Sequence, residues 1–201
     1  MSSNTATVFA TVDETLTSAH LDRARLYLEQ TQSGIEGAIK GLSEAQWSFK
    51  PAPERWSIAE NVEHIACVQE RVLDQILPGL AAAPVPDADY DREVVDAIVI
   101  HQFPTRLAKY SAPEFVCPKG GLEQAEALRR LGANYARFAM YLQSTPEMRR
   151  HAVESRPLQA ITDGKYTLMD GYQWVLAAAA HMERHTKQIL EVKAELAFPD
   201  K

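Results

Sequence analysis

The sequence predicts an all-α protein, a four-helix bundle, and three observations predict it. Helix formers such as Ala, Leu, Glu and Arg are abundant, while glycine is limited to 9 of 201 residues and β-branched runs are few. Four stretches repeat apolar residues in steps of three and four, the spacing of one buried helix face. Between the second and third of these stretches lies a connection of roughly forty residues, far longer than a tight helix–helix turn. It is long enough to cross the bundle and let the second and third helices run parallel.

The first helix is expected from Asp13 to about Leu42, on the seam Leu21, Ala24, Leu28, Thr31, Ile35, Ala38 and Leu42. Gly41 lies near its end and Ser43 opens the next segment. The loop Gln46–Trp56 carries two prolines, which bar a helix, and Trp47, Phe49 and Trp56, which anchor it to the bundle end. Ser57 and Glu60 form a capping box for the second helix, whose stripe is Ile58, Val62, Ile65, Val72 and Ile76. Pro78-Gly79 should stop it. On a helical wheel His64 falls at the shoulder of that stripe, which leaves open whether its ring reaches the interior.

From Gly79 to Gly121 the pattern loosens: Ala81–Pro86 reads as a linker, Arg92–His101 as a short helix, and Pro104, Pro113 and Pro118 break the rest. The third helix runs from Leu122 to about Ser144 on Ala125, Leu128, Leu131, Tyr135, Phe138 and Leu142, with Pro146 beyond its end. Glu147–Tyr166 is irregular, and Thr167 with Asp170 resembles a capping box. The fourth helix, Trp174–Leu196, carries the stripe Trp174, Ala178, His181, His185, Ile189, Val192 and Leu196.

His181 and His185 sit in the middle of that stripe. Four residues apart, their rings leave one helix face about 5–6 Å apart at Cβ, near enough to share an ion at roughly 2.1 Å per nitrogen. Burying imidazole nitrogens without partners costs on the order of 1–3 kcal/mol each. Either a metal satisfies both, or they are hydrogen-bonded core residues or lie at a subunit contact.

Composition narrows the function classes. The chain is long enough to bury one core, so a single domain spanning 1–201 is expected. A net charge of −6, without a basic stripe interleaved with aromatics, argues against nucleic-acid binding. Met1–Thr11 lacks the basic start and apolar run of a signal peptide, and no apolar run approaches a membrane span. The 2 cysteines, Cys67 and Cys117, form no CxxC, so a reducing cytoplasm is the expected setting.

Two runs carry a family resemblance. Leu42–Ile65 contains Trp56-Ser57-Ile58 leading into a helix whose histidine, His64, follows six residues after the isoleucine. The later run His181-Met182-Glu183-Arg184-His185-Thr186-Lys187-Gln188-Ile189 reads His-x-x-x-His-x-x-Gln-Ile. Together they resemble the marks of the DinB-like (YfiT-like) superfamily. The resemblance implies an up-down-down-up bundle, commonly a homodimer, with a divalent metal held by His64, His181 and His185. Three neutral imidazoles suit Zn, Ni or Fe and leave coordination positions open. Relatives by resemblance include transferases and isomerases that use small intracellular thiols. The expected function is therefore metal-dependent, thiol-dependent S-transferase chemistry on a small-molecule substrate. The alternatives are a metal-dependent hydrolase and a non-catalytic, stress-associated metal-binding bundle. Arg156-Pro157-Leu158-Gln159 stands where the family often has a His-Pro-x-x-Gly-like turn, which unsettles expectations about that wall.

Other residues have competing readings. Glu60, one turn before His64, is either a proton carrier or only the capping partner of Ser57. Glu183 is expected to be solvated, Gln188 borders the histidine face, and Tyr135 and Tyr141 either pack or offer a hydroxyl. Arg71 either attracts a carboxylate substrate or forms a salt bridge, and Cys67 has no nearby charge to recommend it as a nucleophile. His20, His101 and His151 lack a partner at ligand spacing.

Overall fold

In the computed structural model, which describes residues 16–87, 89–105 and 112–200, helix dominates and a single two-stranded antiparallel sheet is added among the described residues. Helix α1 spans Ser18–Ile39 and is opened by Thr17, whose side chain accepts from the His20 amide while the His20 ring returns the bond. The expected start at Asp13 lies outside the described residues. Ala24, Leu28, Thr31, Ile35 and Ala38 are buried as the seam requires. Gly41, at φ +68°, turns the chain out of the helix in a conformation that glycine adopts without strain. The following segment is more ordered than its prolines suggest: α2 (Glu44–Ser48), capped by Ser43 and Gln46, lies just ahead of them. Trp47 does anchor the segment, its Nε1 donating to the Leu122 carbonyl at 2.8 Å.

Helix α3 spans Ile58–Arg71 with the Ser57–Glu60 capping box in place. Pro78 does not stop the helical path. A π-helical turn over Val72–Ile76 leads into α4 (Leu77–Gly79) and a 3-10 turn at Leu80–Ala82. Proline lacks an N–H and its ring crowds the carbonyl four residues back; the wider π turn just before it makes room. The crossover holds α5 (Arg92–Gln102), capped by Asp91, and a 3-10 turn at Glu114–Val116.

Helix α6 spans Gln124–Ser144, with Ala127, Leu131, Asn134, Phe138 and Leu142 buried. The seam is rotated from the expected one: Leu128 is exposed and Tyr135 half-buried. Asn134 takes an interior place because its amide donates to Gln69 Oε1 at 3.3 Å on α3. The span expected to be irregular contains β1 (Ala152–Glu154), α7 (Arg156–Ile161) and β2 (Leu168–Asp170), with Val153 opposite Met169. Three-residue strands are too short to show an alternation, which is why the sequence hid them.

Helix α8 spans Gly171–Lys193. Its cap is Asp170 with Gln173, not Thr167, and Leu196 lies past its end, fully exposed. Gly171 is required: a Cβ there would stand 2.8 Å from the Met148 carbonyl oxygen and against the Tyr141 hydroxyl. Every residue from Gly171 to Ala180 is buried, so this half of α8 is enclosed on all sides. Helix α8 packs against α1, α3 and α5, while α6 packs against α1 and α3.

Two features of this packing set up the site. The buried apolar side chains divide into two clusters; α8 gives Trp174–Ala179 to one and Met182, Ile189 and Val192 to the other. His181 and His185 fall along the stretch of α8 that joins them. Below the first cluster, Arg149 (2% exposed) bridges Asp96 Oδ2 at 2.5 Å and Asp170 Oδ2 at 3.2 Å. Gln173 Nε2 donates to Asp96 Oδ1 at 3.0 Å, and the Arg149 guanidinium lies 4.1 Å from the Tyr172 ring centroid. This ionic group joins α5, the turn after α6, β2 and the start of the histidine-bearing helix.

Candidate metal centre

The folded chain brings His64 from α3 together with His181 and His185 from α8. Their ring centroids are 4.9 Å (64–181), 4.7 Å (64–185) and 4.4 Å (181–185) apart. One ligand nitrogen from each lies within 4.8 Å of the others. His64 and His185 are buried, His181 half-buried. The shoulder position of His64 thus becomes interior, because α8 lies against that side of α3.

Hydrogen bonds outside the cluster fix how two rings present themselves. His64 Nδ1 is 2.7 Å from the Val116 carbonyl oxygen. A carbonyl only accepts, so Nδ1 carries the proton and the Nε2 lone pair faces inward. His185 Nδ1 is 3.1 Å from Asn61 Oδ1. The Asn61 amide donates from Nδ2 to the Ser57 carbonyl at 2.9 Å, which settles its orientation and leaves Oδ1 to accept from His185. The same inward lone pair results.

This arrangement fits a cation. His64 Nε2 and His181 Nε2 are 3.1 Å apart; a tetrahedral ion at about 2.1 Å per nitrogen would hold them roughly 3.4 Å apart. His181 Nδ1 is buried without a hydrogen-bond partner, so this ring, unlike those of His64 and His185, has no acceptor on its outer nitrogen. Rings that donate their outer N–H to fixed acceptors are the usual form of histidine ligands. Burial lowers the His64 pKa, against the Val116 hydrogen bond. It lowers that of His181 well below 6.5, helped by the neighbouring His64 and Arg184 charges. Neutral rings at neutral pH are the ligand form.

Trp56 forms a wall. Its ring centroid lies 4.8 Å from that of His64 and 6.0 Å from that of His185, with the latter nearly parallel. Its loop is held by Lys50 Nζ on Glu60 Oε1 at 2.8 Å and by an Arg55–Glu195 ion pair. Glu60 is committed to Lys50 and the Ser57 amide. Burial would raise its pKa, but those bonds and the Lys50 charge hold it below the usual 4.5. Glu183 is partly exposed, as expected, and is also partnered: Tyr27 donates to it at 2.7 Å and Lys187 pairs with it at 2.7 Å. Gln188 is half-buried with Oε1 enclosed and unpartnered. Among the described residues Arg71 forms no salt bridge; it bonds Gln75 and stacks 4.1 Å over Phe115. Tyr135 and Tyr141 pack against the first apolar cluster. Cys67 does have a charge beside it, Arg130 Nη2 at 3.5 Å, although that guanidinium also binds Glu70.

His20, Glu93 and Asp96 also cluster. His20 Nδ1 accepts from the Thr17 amide, so Nε2 carries the proton and donates to Glu93 at 3.0 Å. No lone pair of that ring is left for a metal. His151 is bound to the Ala83 carbonyl.

Sequence reasoning missed Asn61 and the Val116 carbonyl. Asn61 lies three residues before His64 and so on the same helix face, a signal that was there to be read. A backbone carbonyl from the crossover left none. Arg156–Gln159, the departure from the family pattern, forms most of α7, with Pro157 in its first turn. A family model described as the DinB superfamily matches residues 27–189. No curated protein and no solved structure matches the chain.

Proposed function

The chain belongs to the DinB superfamily, and from that premise we propose that it is a metal-dependent enzyme with thiol-dependent S-transferase chemistry. His64, His181 and His185 would hold one divalent ion, Zn, Ni or Fe. The observation that carries this is the convergence of three imidazoles with no fourth protein donor grouped with them among the described residues. Three protein ligands are the mark of a catalytic site, four that of a structural one. When bound, such an ion supplies Lewis acidity, lowering the pKa of a thiol or water placed beside it.

The chain's own residues do the rest. Asn61 and the Val116 carbonyl hold two rings in their ligand tautomer, and the Trp56 indole screens His64 and His185 from water. The two partners of Glu60 favour its capping role over proton transfer. The same open position serves a hydrolase if water replaces the thiol. The burial of His64 and His185 favours a non-catalytic second reading, in which the ion ties α3 to α8. The proposal extends to an up-down-down-up four-helix bundle over one domain, a homodimer, a small-molecule substrate and a cytoplasmic setting. No described helix is long and apolar enough to cross a membrane.

The test is to load protein purified without a nickel column with Zn, Ni or Fe, then assay thiol conjugation and hydrolysis beside His181→Ala. Thiol consumption that depends on metal and is lost in the variant supports the proposal. Absence of bound metal, or equal activity in the variant, refutes it. Stoichiometric metal without turnover supports the non-catalytic reading.

A further inference from the structure

We infer that Asn61 is a positioning residue for the metal site: it fixes the ring tautomer of His185 and so sets the affinity for the ion. This rests on the reading of the three histidines as ligands, and adds a residue that neither sequence motif marks as functional.

Asn61 is 2% exposed, so water does not compete for its side chain. Both ends of its amide are used, Nδ2 on the Ser57 carbonyl and Oδ1 on His185 Nδ1. Ser57 is the N-cap of α3, so the amide orientation is tied to the first turn of that helix. Reversing the amide would set Nδ2 against the His185 N–H and Oδ1 against a carbonyl, breaking both bonds. Without this acceptor, a neutral imidazole carries its proton preferentially on Nε2. That proton would point into the cluster, where His64 Nε2 and His181 Nε2 already lie 3.1 Å apart. The cation would then have to displace it, with the Asn61 acceptor for Nδ1–H gone. Helix α3 thus contributes to the site twice, with the His64 ring and, one turn earlier, with the group that orients a ring of α8.

Two measurements test this. In apo protein with 15N-labelled histidine, the His185 ring should show the Nδ1–H tautomer; a dominant Nε2–H form overturns the inference whatever the variants do. Zinc competition with a chromophoric chelator should then give Asn61→Leu about 10–100-fold weaker binding than wild type. Asn61→Asp, which keeps the acceptor, should bind at least as tightly as wild type. Equal affinity for Asn61→Leu and wild type overturns the inference while leaving the ligand assignment intact. Failure of the wild type to bind zinc is the separate result that overturns the ligand assignment.

Discussion

Replacing Arg149 by Met would leave Asp96 (1% exposed) without its ion-pair partner and Asp170 (0% exposed) with only the longer 3.8 Å contact to Arg92. Methionine fills much of the arginine volume, so the change removes charge with little cavity. Breaking a buried ion pair by deleting one partner costs about 3–5 kcal/mol. At roughly 2–4 °C per kcal/mol for a chain of this size, thermal melts at pH 7 should fall by about 6–20 °C. The pH dependence gives a sharper test. Burial already raises Asp170 from 3.8 to about 6, against the Arg149 charge and the Gln173 amide. A carboxyl whose native pKa exceeds its unfolded value binds extra protons when folded, so its contribution to stability falls as pH rises through that window. Removing Arg149 lifts the native value further and widens the window upward. The deficit of Arg149→Met relative to wild type should therefore grow from pH 5 towards pH 8. Adding Asp96→Asn should recover part of the loss, since one stranded charge is gone. A melt within 2–3 °C of wild type at pH 7, roughly 1 kcal/mol, or a deficit independent of pH, would refute the reasoning.

Two further outcomes arise from local geometry. Gly171→Ala should destabilise by about 1–3 kcal/mol, because the new methyl group meets the Met148 carbonyl in a closed space; chemical denaturation checks it, and an unchanged midpoint counts against the packing described. Glu60→Ala should cost about 0.5–2 kcal/mol through the lost capping bonds. Glu60 is held below 4.5 in the native state, so its contribution is complete above pH 4.5 and lost as pH falls through the native value. The wild-type and Glu60→Ala melting temperatures should accordingly converge under acid.

Helix existence was legible because long amphipathic stretches repeat their period many times, as Ala24–Ala38 do on α1. The DinB-like assignment was legible because Trp56-Ser57-Ile58 and His181–Ile189 are unusual runs in a fixed order. The features that escaped notice depended on contacts distant in sequence. His64 lies on the shoulder of its own helix and becomes interior because α8, the crossover at Val116 and Trp56 enclose that side. Asn134 replaces Tyr135 in the seam because it finds Gln69 across the α3–α6 contact. Leu128 and Leu196 fit a stripe by spacing yet stay exposed, since no described element covers them fully. Pro78 reads as a stop until the π turn before it is seen. Arg149 is unremarkable in sequence, and its role depends on carboxylates 53 and 21 residues away.

The most direct measurement is zinc K-edge X-ray absorption on protein loaded with one equivalent of zinc and purified without a nickel column. Three imidazole nitrogens at about 2.0–2.1 Å are expected, with the remaining scattering from light solvent atoms. Fewer than three imidazoles, or a sulfur ligand in the shell, would contradict the three-histidine site.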